Sequence, residues 1–188
     1  MTILLIGVLL WSAVHLFPVL APAARARWIA RLGTKYQGLF ALVIGLALLL
    51  IVFGWRGAPA QTVYLPPEWG AYLSSPLMLL AILLFGASHG QSRIQRWLRH
   101  PMLSSVVVWA TAHLLVNGDS RSIVLFGGLA LWALVSQPLI NRRDGAWVRP
   151  AVAPPWSNEV KLLVIALIVY AVLLFAHPYL AGVPLIAI

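Results

Sequence analysis

Residues 37–55 read QGLFALVIGLALLLIVFGW, a run of nineteen residues without a charged side chain. A helix needs about 20 mostly apolar residues to cross the hydrocarbon core of a bilayer, so this run predicts a transmembrane helix. The rest of the chain is similar in character, because 62% of its 188 residues are hydrophobic and only 9% are charged. Soluble domains are about half apolar and about a quarter charged. The composition therefore excludes a cytosolic enzyme, a disordered chain and a conventional nucleic-acid-binding protein.

Further segments match residues 37–55 in length and apolar content, and these are residues 2–20, 71–89, 101–117, 122–140 and 160–180. The sequence thus predicts an all-α, polytopic membrane protein, a six-transmembrane-helix bundle that forms a single domain over residues 1–188. The connections carry turn and charge signals, such as those in residues 22–31. The connection over residues 141–159 is long and proline-rich, and we expect it to be peripheral and to lie along the membrane surface. The charges of the first segment follow its apolar run, which favours a retained helix over a cleavable signal peptide.

The basic residues are distributed unevenly among the connections. Thirteen Lys and Arg against four Asp and Glu give a net charge of +9. Eleven of the thirteen lie in or beside the first, third and fifth connections: Arg25, Arg27, Arg31, Lys35, Arg93, Arg96, Arg99, Arg142, Arg143, Arg149 and Lys161. The second and fourth connections contain Arg56 and Arg121 alone. The positive-inside rule then places the odd connections in the cytoplasm and both termini on the other side. Topology and the lipid bilayer, rather than nucleic acid, account for the charge.

Two of the five histidines are expected deep in the membrane, where a polar side chain is costly and therefore informative. Counted from the cytoplasmic side, His15 lies roughly 8–14 Å deep and His113 roughly 18 Å deep. The chain has no Cys, so imidazole is its best ligand for a transition metal. Two imidazoles from different helices are the usual way in which a helix bundle holds haem b, and this makes His15 and His113 candidate iron ligands. The alternative is that each histidine hydrogen-bonds a neighbouring helix and has only a structural role.

Other candidate site residues surround this pair. Trp109, His113 and Asn117 are spaced i, i+4, i+8 and share one helix face, which indicates either a cofactor wall or a packing stripe that ends in a helix cap. At the cytoplasmic edge, Arg99 and His100, together with Arg93 and Arg96, could face the anionic propionates of a haem. The same edge residues, followed by Pro101, are also typical of an ordinary helix start at the membrane interface.

Several of these residues fall in stretches that resemble a known family. RHPML at 99–103, WATAHLLVNGD at 109–119, LFG at 125–127 and WSAVH at 11–15 resemble the NnrU family of bacterial membrane proteins. The resemblance covers nearly the whole chain, and its most specific part lies between His100 and Gly127.

The resemblance implies a link to denitrification and nitric oxide metabolism and a place in the bacterial inner membrane, with both termini periplasmic. The family is related to 15-cis-zeta-carotene isomerase, a haem b enzyme with two axial ligands, and His15 and His113 would correspond to its histidines. Three functions stay open at this point: a haem-binding protein of nitrogen-oxide metabolism, a haem-dependent cis–trans isomerase of a polyene, and a cofactor-free structural protein. The expected partners are the lipid bilayer and either an apolar small molecule or a diatomic gas.

Overall fold

The computed structural model describes residues 1–182; in that range the chain consists of helices and the loops that connect them, with one isolated antiparallel bridge, Thr62 to Asp119. The described helices are α1 Thr2–Leu20, α2 Pro22–Leu32, α3 Lys35–Gly57, α4 Gly70–Ala87, α5 Pro101–Leu114, α6 Ser120–Asp144 and α7 Trp156–Ala181. A short 3-10 turn, Arg93–Arg96, lies between α4 and α5. The last part of the predicted domain, residues 183–188, lies outside the described residues.

The predicted all-α polytopic architecture is confirmed. Five of the described helices, namely α1, α3, α4, α6 and α7, are long and apolar enough to cross a membrane. Helix α5 is apolar but shorter, with 14 residues and a length of about 21 Å. Many large apolar side chains stay exposed on the outside of the bundle, Leu42 at 67% and Phe53 at 63% among them. In a polytopic protein such side chains contact lipid rather than water.

Close contact between α1 and α3 depends on small residues. A Cβ atom on Gly54 would meet the backbone of Leu4, and one on Gly7 would lie 2.8 Å from the backbone nitrogen of Ile51. The start of α1 therefore packs against the end of α3, and the two helices are antiparallel. Without a hydrophobic driving force between helices in lipid, such close backbone approach is a main source of helix association.

The helices that run through the bundle alternate in direction, so the connections collect at two ends. At one end, a cavity is lined by residues from the ends of α1, α4 and α6, the start of α5, and the loop that precedes α7. This end, which we call the basic end, holds the eleven basic residues of the odd connections. At the opposite end, the loop after α3 pairs with the turn between α5 and α6 through the Thr62–Asp119 bridge.

The connection over residues 22–31, which carries turn and charge signals in the sequence, forms helix α2. Pro22 occupies the first turn, where the missing N–H costs nothing and the fixed φ suits a helix. The alanine, arginine and leucine residues that follow are strong helix formers. Gly33, with a φ of 55°, ends the helix in a conformation that L side chains rarely adopt.

Helix α6 is longer than its prediction over residues 122–140 and contains one irregular turn. Its segment Ile123–Gly127 is π-helical, with wider backbone hydrogen bonding than the helix on either side. Turns of this kind are rare and are frequently found at functional sites. This turn lies beside His113 of α5.

Candidate functional site

The basic end of the bundle encloses a cavity of about 530 Å³. Its walls bring together three of the predicted site residues, His15 from α1, and Arg99 and His100 from the segment before α5. Trp132 and Ser136 of α6 form another wall. A volume of several hundred Å³ is typical of sites that take a small molecule or cofactor.

The ring of His15 is oriented by its own helix. Its Nδ1 lies 2.8 Å from the carbonyl oxygen of Trp11, four residues earlier. A carbonyl can only accept, so Nδ1 donates the hydrogen and neutral His15 keeps the lone pair on Nε2. Histidines that bind metals almost always donate their other ring N–H in this way.

Aromatic rings enclose the His15 imidazole on three sides. The ring centroids of Trp11, Trp132 and Phe40 lie 4.3, 5.2 and 6.1 Å from that of His15. The indole N–H groups of Trp11 and Trp132 are buried and have no hydrogen-bond partner among the described residues. Buried donors normally find a partner, so these two are unusual. Trp132 lines the cavity, and its indole N–H could donate to an acceptor atom of a bound molecule, whereas Trp11 is not among the residues that line the cavity.

His113 is held in the same manner at a different depth. Its Nδ1 lies 2.9 Å from the carbonyl oxygen of Trp109, again four residues earlier, which leaves the lone pair on Nε2. Its ring stacks on Phe126, with centroids 4.3 Å apart and an interplanar angle of 20°. Phe126 belongs to the π-helical turn and also meets Trp109 and Trp55 edge-on. The irregular turn thus contributes the ring on which His113 rests.

The two deep histidines lie in separate aromatic clusters. Trp132, which contacts His15, and Phe126, which contacts His113, are six residues apart on α6, a rise of about 9 Å. No hydrogen bond or ring contact joins His15 to His113 in the described part of the chain. The structure therefore groups His15 with Arg99 and His100, and groups His113 with Trp109 and Asn117.

Asn117 forms hydrogen bonds with the end of α5. Its side-chain amide donates to the carbonyl oxygen of His113 at 2.9 Å, and its backbone N–H bonds the same oxygen at 2.9 Å. These bonds help to end the helix at Leu114, although residues 101–117 were predicted to be helical.

His177 of α7 is close enough to His113 for the two imidazoles to interact electrostatically. This proximity was missed because sequence spacing does not show which helices are neighbours.

Three arginine side chains form hydrogen bonds with the backbone of the loop before α7. Arg93 Nε donates to the Pro154 carbonyl at 2.8 Å, Arg96 Nε to Pro150 at 3.2 Å, and Arg99 Nη1 to Gly145 at 2.8 Å. Beside them, His100 Nε2 lies 2.9 Å from Asn141 Oδ1.

This hydrogen-bonded loop forms one wall of the cavity. Trp147, Val148 and Pro150 line it, so the prediction that residues 141–159 are peripheral to the site is wrong. The carbonyl groups that accept from the arginines have no signature in the sequence, and this is why the wall was not expected.

At the opposite end of the bundle, hydrogen bonds join the loop after α3 to the end of α5. The Tyr64 hydroxyl donates towards the carbonyl oxygens of Leu114 and Asn117, and lies 3.0 Å from the latter. The Leu114 carbonyl belongs to the last turn of α5 and would otherwise lack an intrahelical partner, while Asn117 lies in the turn that follows the helix. Burial, and then the negative charge of Asp119, raise the pKa of Tyr64 above its ordinary value of 10.0. The hydroxyl thus stays protonated and able to donate at neutral pH.

The apolar spans, the lipid-exposed outer surface and the segregated basic residues define a polytopic α-helical membrane protein. Within this class, the chain belongs to the NnrU family, since the family model described as NnrU protein matches residues 3–185. No curated protein and no solved structure matches the chain.

Proposed function

We propose that this NnrU-family membrane protein binds haem b and acts in nitrogen-oxide metabolism. One observation carries the proposal: a histidine whose lone pair is fixed on Nε2 lies on the wall of a cavity large enough for a cofactor. A histidine that served only to join helices would direct its ring N–H to a neighbouring helix, whereas His15 bonds its own helix. The link to denitrification and nitric oxide rests on the family resemblance alone.

The residues around the cavity suit the chemistry of haem. His15 would supply an imidazole ligand, while the apolar walls would receive the porphyrin. Arg99 and His100 would meet the carboxylates of the propionates, because charge-assisted bonds from a guanidinium are among the strongest in proteins. His113, with Trp109 and Asn117 around it, does not line this cavity, so a second axial bond from His113 would require the helices to rearrange when haem binds. When bound, haem would supply an iron able to hold a diatomic gas or to exchange an electron.

The decisive experiment is an absorption spectrum of the protein purified in detergent from haem-replete cells. We expect a Soret band that His15→Ala abolishes or strongly shifts, and a similar loss in His113→Ala if that residue is the second ligand. His89→Ala is the matched control, because His89 also bonds the carbonyl of an aromatic residue four positions earlier, at 2.9 Å, but lies exposed outside the cavity. His177→Ala is less suitable as a control, since His177 lies near His113.

The outcomes separate the alternatives. A wild-type protein without a Soret band would overturn the proposal in favour of a cofactor-free structural role. A normal band in both deep-histidine variants would move the ligands elsewhere, to His89 or His100. Loss of the band in His15→Ala alone would indicate a single histidine ligand from this pair.

A haem-dependent isomerase is the second candidate function. Apolar residues such as Leu16, Leu103 and Ile140 line the cavity beside His15, so an extended apolar molecule could approach a cofactor there. Incubation of the haem-loaded protein with a poly-cis carotenoid, followed by chromatographic separation of the isomers, tests it. Unchanged isomer ratios in the presence of a normal Soret band would leave the haem-binding function without this activity.

A further inference from the structure

Helix α2 crosses the basic end of the bundle between two antiparallel spans. Its 11 residues give a length of about 16 Å, more than the 8–10 Å that separates the axes of packed helices. It is therefore long enough to reach from the end of α1 to the start of α3. None of its residues is buried, and Trp28 and Ile29 are 51% and 37% exposed. An amphipathic helix with exposed arginines and an aromatic residue is typical of one that lies in the lipid headgroup layer.

The charge of this region is uncompensated. The side chains of Arg25, Arg27, Arg31 and Lys35 make no hydrogen bond or ion pair with any part of the chain that the structure describes. The two acidic residues at this end of the bundle are bonded elsewhere, Asp144 to Arg143 and Glu159 to Ser92 and the backbone of Arg93. An anionic group from outside the chain could therefore pair with these four cations.

A small niche lies under α2, where α1 ends and α3 begins. It has a volume of about 200 Å³ and is lined by Pro18, Arg25, Tyr36, Gln37 and Phe40. Arg25, Tyr36 and Gln37 offer a guanidinium, a hydroxyl and an amide, all of which can donate to phosphate oxygens. Pro18 and Phe40 offer an apolar floor that continues onto the lipid-facing surfaces of α1 and α3. The niche shares no lining residue with the cavity at His15.

We propose that this niche binds the phosphate headgroup of one anionic phospholipid, with Arg25 as the principal contact. The volume accommodates a headgroup but not acyl chains, which would run along α1 and α3 in the bilayer. The neighbouring Arg27, Arg31 and Lys35 favour a lipid of net negative charge over a zwitterionic one, whose cationic group they repel. The niche is a different site from the proposed haem cavity, although Phe40 of the niche also packs edge-on against His15.

Native mass spectrometry of the detergent-solubilised protein, titrated with phosphatidylglycerol or phosphatidylcholine, tests the proposal. We expect one phosphatidylglycerol to bind in preference to phosphatidylcholine, and Arg25→Gln to weaken that binding by about tenfold. Arg27→Gln is the matched control, because Arg27 lies two positions on, is exposed, does not line the niche and carries the same charge. It should show only the smaller loss common to any arginine near an anionic surface. Arg25→Lys, which keeps the charge, should bind more tightly than Arg25→Gln.

Three outcomes would overturn the site. Equal losses in Arg25→Gln and Arg27→Gln would mean that the general surface charge, and not the niche, attracts the lipid. Equal binding of both lipids would mean that charge is not recognised. Displacement of the lipid by inorganic phosphate at equal concentration would assign the niche to a free anion. The Soret band of each variant reports separately on haem, so failure here is distinguishable from failure of the proposed function.

Discussion

Arg99 and Gly145, 46 residues apart in the chain, are joined by a hydrogen bond of 2.8 Å from the guanidinium Nη1 to the carbonyl oxygen. Arg99 also lines the cavity at His15, so the same side chain contacts both the interior of the site and the loop that closes it. An anionic group that entered the cavity and bound Arg99 would compete with this carbonyl. If a ligand took this donor, its binding and the position of the loop would be coupled through one guanidinium.

The first expectation concerns that loop. Arg99→Gln removes a charge-assisted hydrogen bond, so residues 145–155 should leave the bundle more often and chymotrypsin should cleave after Trp147 faster, on the order of tenfold. Time courses of limited proteolysis in detergent measure this rate. Arg142→Gln is the control, since the Arg142 side chain is exposed and makes no hydrogen bond within the described residues. Equal cleavage of the two variants and the wild type would show that Arg99 does not hold the loop.

The second expectation concerns the α1–α3 contact. In Gly54→Ala the new Cβ meets the backbone of Leu4, which cannot move without displacing α1, so we expect a loss of about 1–3 kcal/mol in the free energy of unfolding. Gly45→Ala is the matched control on the same helix, because a Cβ there meets nothing within 4 Å. It should be neutral or stabilising by up to about 1 kcal/mol, through helix propensity. Thermal unfolding in detergent compares the two, and a Gly54→Ala protein as stable as Gly45→Ala would contradict the close packing.

The apolar spans could be predicted because their hydropathy depends on local composition alone. Helix α2 could not be predicted in the same way, since eleven residues are too few to span a membrane and Pro22 is also a turn signal. The depths of His15 and His113 in the membrane, counted from the sequence, stay a prediction, since the structure gives only a rise of about 9 Å on α6 between the residues that their rings contact. The assignment of each histidine to its own cluster depends on how α6 packs between α1 and α5, which no spacing in the sequence records.

The third expectation is a pH dependence at the opposite end of the bundle. The pKa of Tyr64 is raised in the folded protein, so its contribution to stability is complete below the ordinary value of 10.0 and is lost as the pH rises through the folded value. Tyr64→Phe should destabilise the protein at neutral pH by about 1 kcal/mol or less, since the side chain is partly exposed. The difference from the wild type should vanish in alkaline solution. Thermal unfolding across this pH range measures it, with Tyr72→Phe, at an 82% exposed position, as the control. A difference that persists unchanged to high pH would contradict the role of the hydroxyl proton.

The last expectation concerns orientation. The basic end carries eleven of the thirteen Lys and Arg residues, while Arg56 and Arg121 are the two at the opposite end. Because Lys and Arg near span ends are retained in the cytoplasm, the basic end should be cytoplasmic and the opposite end periplasmic. Reporter fusions after Arg31, at the basic end, and after Gly118, at the opposite end, should therefore report different compartments. Gly118 lies in a tightly packed turn, since a Cβ there would meet the Tyr64 carbonyl. Backbone hydrogen bonds from the loop after α3 hold this turn in place. If both fusions reported the same side, α5 would not cross the membrane, and its length of about 21 Å would then reflect a buried helix rather than a short span.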